Sequence, residues 1–168
     1  MTWKPETAYH EAGHALLAHL SCFHVVGPIN LKSGGNGGLI VGLSRSKCLA
    51  AGKAVGEATK RDAEVARDLA VILVGGLAAE QIAADADRRL RPSAQAAALD
   101  HALLVESLAG ARLSRKFDRY EAAARAILKE HWPNVEALAR LLLRDGGCSI
   151  DAAEAIFRAQ PRASRRAR

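Results

Sequence analysis

The feature that most constrains this chain is a five-residue run, His10-Glu11-Ala12-Gly13-His14, inside an alanine- and leucine-rich stretch. The apolar spacing of residues 7–20 predicts a helix, and residues four apart on a helix share a face. Both imidazoles therefore project from the same side, with Glu11 one step round the helix. Two histidines at this spacing beside a carboxylate are typical of a zinc site that hydrolyses amides. The sequence predicts His10 and His14 as Zn²⁺ ligands and Glu11 as the general base.

Glycines inside two predicted helices indicate a close contact between them. Gly13 lies in the first helix, and the pair Gly75-Gly76 lies within residues 60–84, whose apolar spacing predicts the longest helix. A glycine in a helix interior costs about 1 kcal/mol relative to alanine. Its presence is explained if another backbone packs tightly at that point. We therefore expect these two helices to pack against each other.

The remaining sequence predicts a mainly α fold with a small β element (α+β). Residues 25–31 and 38–43 are suited to two short strands, and the glycine-rich segment 32–37 suits a wide hairpin connection between them. The exposed edge of such a hairpin can hold an extended peptide, although a purely structural hairpin fits the pattern equally well. Capping and stop signals predict further helices over 93–109, 114–131, 133–144 and from Ser149 or Asp151 to Arg158.

Length and composition indicate one domain. The 168 residues and 49% hydrophobic content supply a single core and are too few for two full domains. We expect one domain over residues 1–160 and a disordered basic tail over residues 161–168. The tail contributes much of the net charge of +6. One basic cluster without interleaved aromatic residues is a weak indication of nucleic-acid binding, so no nucleic-acid partner is expected.

Three features predict a cytoplasmic protein. The longest apolar run, residues 69–79, is well short of the ~20 residues that span a bilayer, so no membrane segment is expected. The N-terminal residues lack the apolar core of a secretory signal. Cys22, Cys48 and Cys148 are odd in number and widely spaced, which predicts reduced thiols and no cysteine metal site.

A catalytic zinc site needs a third protein ligand and an open position. The candidates are acidic and histidine side chains in the second half of the chain: Glu80, Asp85, Asp87, Asp100 and His101. Glu80 lies on the helix that is expected to pack against the first helix. Asp100 and His101 interrupt an otherwise apolar helix. From the residues alone, Glu80 and the Asp100/His101 pair are about equally favoured.

Three segments resemble the peptidase domain of the FtsH family, the membrane-anchored ATP-dependent zinc metalloproteases. Residues 7–16 are similar to the start of that domain, and residues 69–81 to its long helix with a Gly-Gly pair followed by Ala-Glu. Residues 141–156 resemble its closing helices. The resemblance covers roughly residues 5–158 and implies the helix bundle of a zinc metalloprotease.

The resemblance also implies roles for two carboxylates. The third zinc ligand of the family falls on Asp100, in a stretch, residues 93–100, that departs from the family pattern. Leu99, for example, stands where asparagine is usual. The glutamate that follows the Gly-Gly pair in the family falls on Glu80. We expect Glu80 to orient a zinc-bound imidazole and to be the reserve ligand.

The function implied by the resemblance is zinc-dependent cleavage of unfolded or small polypeptides. The chain reaches its zinc motif at residue 10 and contains no GxxxxGKS/T phosphate loop. We therefore expect an endopeptidase that is ATP-independent on its own, and free-standing rather than a piece of a longer protease. The alternative is a non-catalytic, peptidase-like interaction protein associated with an AAA protease or another partner. The intact Glu11 favours the enzyme. The expected partners are a polypeptide substrate and either further copies of the chain or an AAA protease.

Overall fold

The computed structural model describes residues 3–31 and 37–159. Within these ranges the chain is mainly helical with a small antiparallel β element, which confirms the predicted fold class. The helices are α1 (Pro5–Leu20), α2 (Arg45–Ala50), α3 (Ala63–Ala86), α4 (Ala98–Gly110), α5 (Phe117–Glu130), α6 (Trp132–Asp145) and α7 (Ile150–Ala159). The strands are β1 (His24–Val26), β2 (Ile29–Leu31), β3 (Gly37–Gly38), β4 (Val41–Leu43) and β5 (Gly147–Cys148), and Thr59–Arg61 forms a 3₁₀ turn.

The centre of the fold is the antiparallel pair α1 and α3. A methyl group at Gly13 would lie 2.7 Å from both the Gly75 carbonyl oxygen and the Ala79 Cβ. Because such an approach leaves room only for a hydrogen atom, the two helix backbones lie close together. The predicted contact between these helices is confirmed. It also brings His10 of α1 within hydrogen-bond distance of Glu80 on α3.

The other helices enclose this pair. α6 packs on α1 and α5 packs on α3, and the interface is filled by fully buried leucines such as Leu128, Leu138 and Leu142. As the sequence predicts, Pro133 lies in the first turn of α6. The helix ends at Gly146, which adopts a left-handed conformation with φ of 76°. α4 packs on α3 through a smaller, separate apolar cluster.

The β element differs from the predicted hairpin. Residues 25–31 form two strands rather than one, because Pro28 has no N–H to continue a hydrogen-bonded ladder. β1 pairs with β4, whereas β2 pairs with β3 and with the distant β5. The predicted strand 38–43 is likewise divided into β3 and β4. Residues 32–36 of the predicted connection lie outside the described residues.

Some helix boundaries also differ from the prediction. α3 begins after residue 62 rather than at 60, because the Asp62 side chain accepts hydrogen bonds from the first N–H groups of that helix. Residues 94–97 form turns and not the expected start of a helix, and Ser93 Oγ accepts from the Ala96 N–H within them. The short helix α2, capped by Ser44, was not predicted. The other helices lie within three residues of their predicted bounds.

Length and composition alone would allow α3 to cross a membrane, and 56% of its most apolar stretch is buried inside the protein. Its contacts with α1, α4 and α5 account for the apolar composition. The expectation of a cytoplasmic chain without a membrane segment stays a prediction. The basic tail, residues 161–168, lies outside the described residues. Cys22 is exposed, Cys48 is buried and Cys148 is half-buried, and none of the three is paired with another.

Candidate metal centre and cleft

Three side-chain atoms, from His10, His14 and Asp100, converge on one point. The two Nε2 atoms lie 3.0 Å apart, and the Asp100 Oδ2 lies 3.0 Å from His10 Nε2 and 3.3 Å from His14 Nε2. A tetrahedral zinc ion with ligands ~2 Å away would hold its ligand atoms about 3.3 Å from one another. This triangle of atoms, which we call the metal triangle, could therefore hold a metal ion.

Each imidazole of the metal triangle is held through its other nitrogen. His10 Nδ1 donates to Glu80 Oε1 at 2.6 Å, and His14 Nδ1 donates to the Ile72 carbonyl oxygen at 2.7 Å. Since both partners accept, they assign the hydrogen to Nδ1 of each neutral ring and leave Nε2 with a lone pair. Both lone pairs then face the metal triangle, as metal-binding histidines require.

The electrostatics of the metal triangle favour a positive charge at its centre. Burial disfavours charge on His10, but its hydrogen bonds to Asp100 and Glu80 outweigh burial and raise its pKa to about 10. Burial also opposes ionisation of Asp100, yet its contacts with the imidazoles of His10 and His14 hold the pKa of its carboxyl well below the usual range. Without a metal ion, a proton on His10 therefore keeps the lone pairs from repelling one another. A metal cation could take the place of that proton.

Gly76 leaves the space in which the metal triangle forms. A methyl group at this position would lie 2.5 Å from His14 Nε2 and 2.6 Å from His10 Nε2. Neither ring can easily move aside, because each is held through Nδ1. From the sequence, helix packing alone explains the Gly-Gly pair, and the space that Gly76 leaves for the imidazoles is not predicted. The one sequence feature that indicates this space is the position of the pair, one helical turn before Glu80.

Two glutamates lie beside the metal triangle in different roles. Glu11 is 5% exposed and lines the adjoining cleft, and burial raises the pKa of its carboxyl. A raised pKa suits a group that must accept and then release a proton near neutral pH. Glu80 is fully engaged elsewhere: one oxygen holds His10, and the other accepts the Ser93 N–H at 3.0 Å. Glu80 is therefore placed to orient a ligand.

The remaining candidates for a third ligand lie outside the metal triangle. Asp85 forms an ion pair with Arg125, and Asp87 forms one with Arg89. His101 is exposed on α4. The structure thus separates the two favoured alternatives, because it places Asp100 with the histidine Nε2 atoms and Glu80 on the opposite nitrogen of His10.

The metal triangle opens into a cleft of about 1160 Å³ between α1, α3, α4, the 3₁₀ turn and the β3–β4 region. This volume exceeds the roughly 300–1000 Å³ of typical small-molecule sites. Aliphatic side chains from these elements line much of it, among them Leu39, Leu43, Leu69, Leu73, Leu99 and Leu103. The charged residues Lys60, Arg61 and Glu106 also reach the cleft.

No protein-family model matches this chain, and a search of curated proteins finds no match. The resemblance to the FtsH peptidase domain therefore stays a prediction. The fold and the site by themselves define a mainly helical protein with a candidate two-histidine, one-aspartate metal centre in a cleft.

Proposed function

We propose that the chain is a zinc-dependent endopeptidase that hydrolyses unfolded or small polypeptides without ATP. The observation that carries the proposal is the metal triangle with the buried Glu11 beside it in a cleft. Two imidazoles and a carboxylate are ligands that zinc accepts, and a catalytic site uses three of them. Zinc bound there would supply Lewis-acid activation of a water molecule and of the scissile carbonyl.

The residues around the metal triangle divide the remaining tasks. Glu11 accepts a proton from the attacking water and passes it to the leaving amine, and its raised pKa suits both halves of that transfer. Glu80 and the Ile72 carbonyl fix the two rings, so that no reorientation is needed when the ligand atoms are engaged. Gly76 keeps the centre free of side-chain atoms.

The wall of the cleft favours an extended polypeptide as the substrate. Val41, Gly42 and Leu43 of β4 line the cleft, and among the described residues β4 pairs with β1 alone. Its second edge therefore offers N–H and C=O groups to which an extended chain can add as a strand. The aliphatic lining favours apolar side chains. Extended apolar segments are accessible in unfolded polypeptides, which supports that substrate class.

The experiment that tests the proposal compares the wild type with Glu11→Gln. Elemental mass spectrometry measures zinc per chain, and fragment analysis measures cleavage of unfolded β-casein. We expect about one zinc per chain in both proteins, since Glu11 is not a ligand. We expect cleavage by the variant to fall roughly 10²–10⁴-fold, the usual contribution of a general base. Glu130→Gln, at an exposed position on α5, is the matched control.

Each other outcome has a definite meaning. Undiminished cleavage by Glu11→Gln would remove that residue from its proposed role. One zinc per chain with no cleavage by the wild type would favour the non-catalytic interaction protein that the sequence also allows. Absence of zinc after reconstitution of the wild type would contradict the metal centre itself.

A further inference from the structure

The composition of α4 is that of a core helix, yet most of α4 is not buried. Its sequence, ALDHALLVESLAG, carries alanine, valine or leucine around most of the helix. A helix of that kind is normally covered by other elements. In α4 only Leu104 and Leu108 are buried, whereas Leu99 is 71% and Leu103 44% exposed. One apolar face of α4 is therefore uncovered.

This uncovered face borders the cleft beside the metal triangle. Among the large apolar side chains that the described part of the chain exposes, only Leu99 and Leu103 line the cleft. They are four residues apart and so lie on one face of the helix. Leu99 directly precedes Asp100, and Leu103 follows Asp100 by three residues, about 4.5 Å along the helix axis. The two leucines are thus neighbours of a candidate metal ligand.

α3 provides the facing side of the cleft with the same chemistry. Leu73 precedes Gly76 by three residues, and Leu69 lies about one turn further away, and both line the cleft. They pack in one cluster with Leu104 and Leu108, which follow Asp100. α3 traced backwards from Gly76 and α4 traced forwards from Asp100 therefore run side by side.

Four leucines consequently form an apolar groove that starts at the metal triangle, and we call it the leucine groove. Leu73 is 6% exposed and lies at its base. The groove residues are Leu69, Leu73, Leu99 and Leu103.

The leucine groove is free of charge over its whole length. No ionisable residue occurs on α3 between residues 69 and 79, and the first carboxylate after Asp100 on α4 is Glu106. A charged side chain placed in the groove would lose hydration without gaining a partner. An aliphatic or aromatic side chain would instead cover the exposed leucines and be covered by them.

The position of the groove selects one part of a bound polypeptide. An extended chain advances about 3.3 Å per residue. Leu73 and Leu103 lie about 4.5 Å along their helices from Gly76 and Asp100, which border the metal triangle. With the scissile carbonyl at the metal triangle, the nearest substrate side chain is therefore that of a residue directly flanking the scissile bond.

We infer that the leucine groove binds a bulky apolar side chain of the residue on one side of the scissile bond, and that Leu103 determines this specificity. The inference rests on the proposed function, since it places the scissile bond at the metal triangle. It names the substrate position at which the chain selects among polypeptides. Leu103 is the most accessible groove residue on the far side of Asp100, and it belongs to none of the buried core clusters.

The test reverses the chemistry of the groove with Leu103→Glu. Because Leu103 is 44% exposed, the substitution opens no cavity in the core. Leu49→Glu is the matched control, at a leucine of α2 that is 56% exposed and does not line the cleft. Cleavage sites in unfolded β-casein are mapped by mass spectrometry. Peptides copied from one wild-type site, with leucine, alanine or lysine at the selected position, give kcat/KM.

We expect wild-type cleavage sites to be enriched in large apolar residues at one of the two flanking positions. The leucine peptide should exceed the alanine peptide in kcat/KM by roughly tenfold or more, as for a filled apolar pocket. Leu103→Glu should reverse the order of the leucine and lysine peptides, because its carboxylate attracts the ammonium group. Leu49→Glu should keep the wild-type order. A loss of stability would lower all three values together and would not reverse them.

The outcomes separate this inference from the proposed function. Cleavage by the wild type without apolar enrichment at either flanking position would overturn the inference and leave the peptidase intact. So would an unchanged order of the peptides in Leu103→Glu. If the wild type cleaves nothing, the peptidase is overturned, and anisotropy of fluorescein-labelled β-casein then tests the groove. Binding weakened in Leu103→Glu alone would retain it as a site for apolar side chains, and equal binding in all three proteins would overturn it.

A second copy of the chain is the other occupant that this face of α4 could take. Analytical ultracentrifugation distinguishes the two. A wild-type dimer that Leu103→Glu dissociates, with the peptide order unchanged, would make the face an interface between copies and overturn the inference. If Leu103→Glu does not fold, as judged by circular dichroism, Leu103→Ala replaces it. That variant should lower the preference for leucine over alanine severalfold, and an unchanged preference would contradict the role of Leu103.

Discussion

The two helices that supply the metal triangle, α1 and α4, are held in the fold very differently. α1 lies in the centre of the core, where His10 and His14 are 8% and 4% exposed. α4 buries only Leu104 and Leu108, and it exposes Leu99 to 71%. The folding of the core therefore fixes the histidine pair, whereas the carboxylate of Asp100 depends on a lightly packed helix.

Glu80 connects the histidine pair of α1 to the segment that carries Asp100. Its Oε1 holds His10 on α1, and its Oε2 accepts the Ser93 N–H in the turns that precede α4. A single buried carboxylate thus orients one candidate ligand, His10, and anchors the segment that leads to another, Asp100. We expect metal binding to order α4 much more than α1, because α1 is already fixed by packing.

The largest expected effect is a loss of zinc binding, caused by a substitution beside the histidine pair of α1. Gly76→Ala should abolish zinc binding, because the added methyl group would lie 2.5 Å from His14 Nε2 and 2.6 Å from His10 Nε2. Alanine is favoured over glycine in a helix by about 1 kcal/mol, so helix propensity does not oppose the substitution. Isothermal titration calorimetry with ZnCl₂ measures the loss.

Gly56→Ala is the matched control for that substitution, since a methyl group there meets no atom of the described residues within 4 Å. It should bind zinc like the wild type. Wild-type zinc affinity in Gly76→Ala would show that the rings can shift. The core packing of α1 would then not fix the two histidine rings, and the contrast drawn above between α1 and α4 would be wrong.

The second prediction concerns the α4 side. Asp100→Ala should lower zinc affinity more than about a hundredfold, beyond the 10–100-fold typical for residues that only orient a ligand. It should also remove the zinc-induced protection of α4 in hydrogen exchange, because the link from the ion to that helix is lost. Asp85→Ala, on an exposed carboxylate outside the metal triangle, should leave both unchanged. An affinity within a few-fold of the wild type would exclude Asp100 as a ligand.

The same contrast explains what the sequence can predict. His10 and His14 follow from local periodicity, since four residues complete about one helical turn. Asp100 meets His14 across a separation of 86 residues, and no local pattern encodes that distance. From the residues alone, Glu80 and the Asp100/His101 pair were equally favoured. The tertiary structure separates them by placing their oxygens on different ring nitrogens.

The missed features have the same physical origin. The Gly27-Pro28 break was visible in the sequence, but the pairing of β2 with β5 joins distant segments. The second role of Gly76 depends on how closely α1 and α3 approach.

A smaller effect on zinc affinity is expected from a substitution of Glu80, which links α1 to the turns before α4. Glu80→Gln removes the negative charge that accepts from His10 and weakens the anchor on Ser93. Zinc affinity should fall about 10–100-fold, as for other residues that orient metal ligands. Hydrogen exchange of residues 93–97 should accelerate in the metal-free protein. An unchanged zinc affinity, with Glu130→Gln as the control, would mean that packing alone fixes the His10 ring.

The last effect, about tenfold for each pH unit, is a pH dependence that links the two helices through one proton. Asp100 and Glu80 raise the pKa of His10 from 6.5 to about 10, so at pH 7.5 the metal-free protein holds a proton that a metal ion must displace. Asp100 is already ionised and releases none. Zinc affinity should therefore rise about tenfold per pH unit between pH 7 and 9 and level off above pH 10.

Calorimetry at pH 7.5 in two buffers with different ionisation enthalpies should show about one proton released per zinc. The release should shrink in Asp100→Asn, because the α4 carboxylate raises the pKa of the α1 imidazole. If the wild type released no proton, His10 would be neutral before binding, and the coupling between the two helices would be absent.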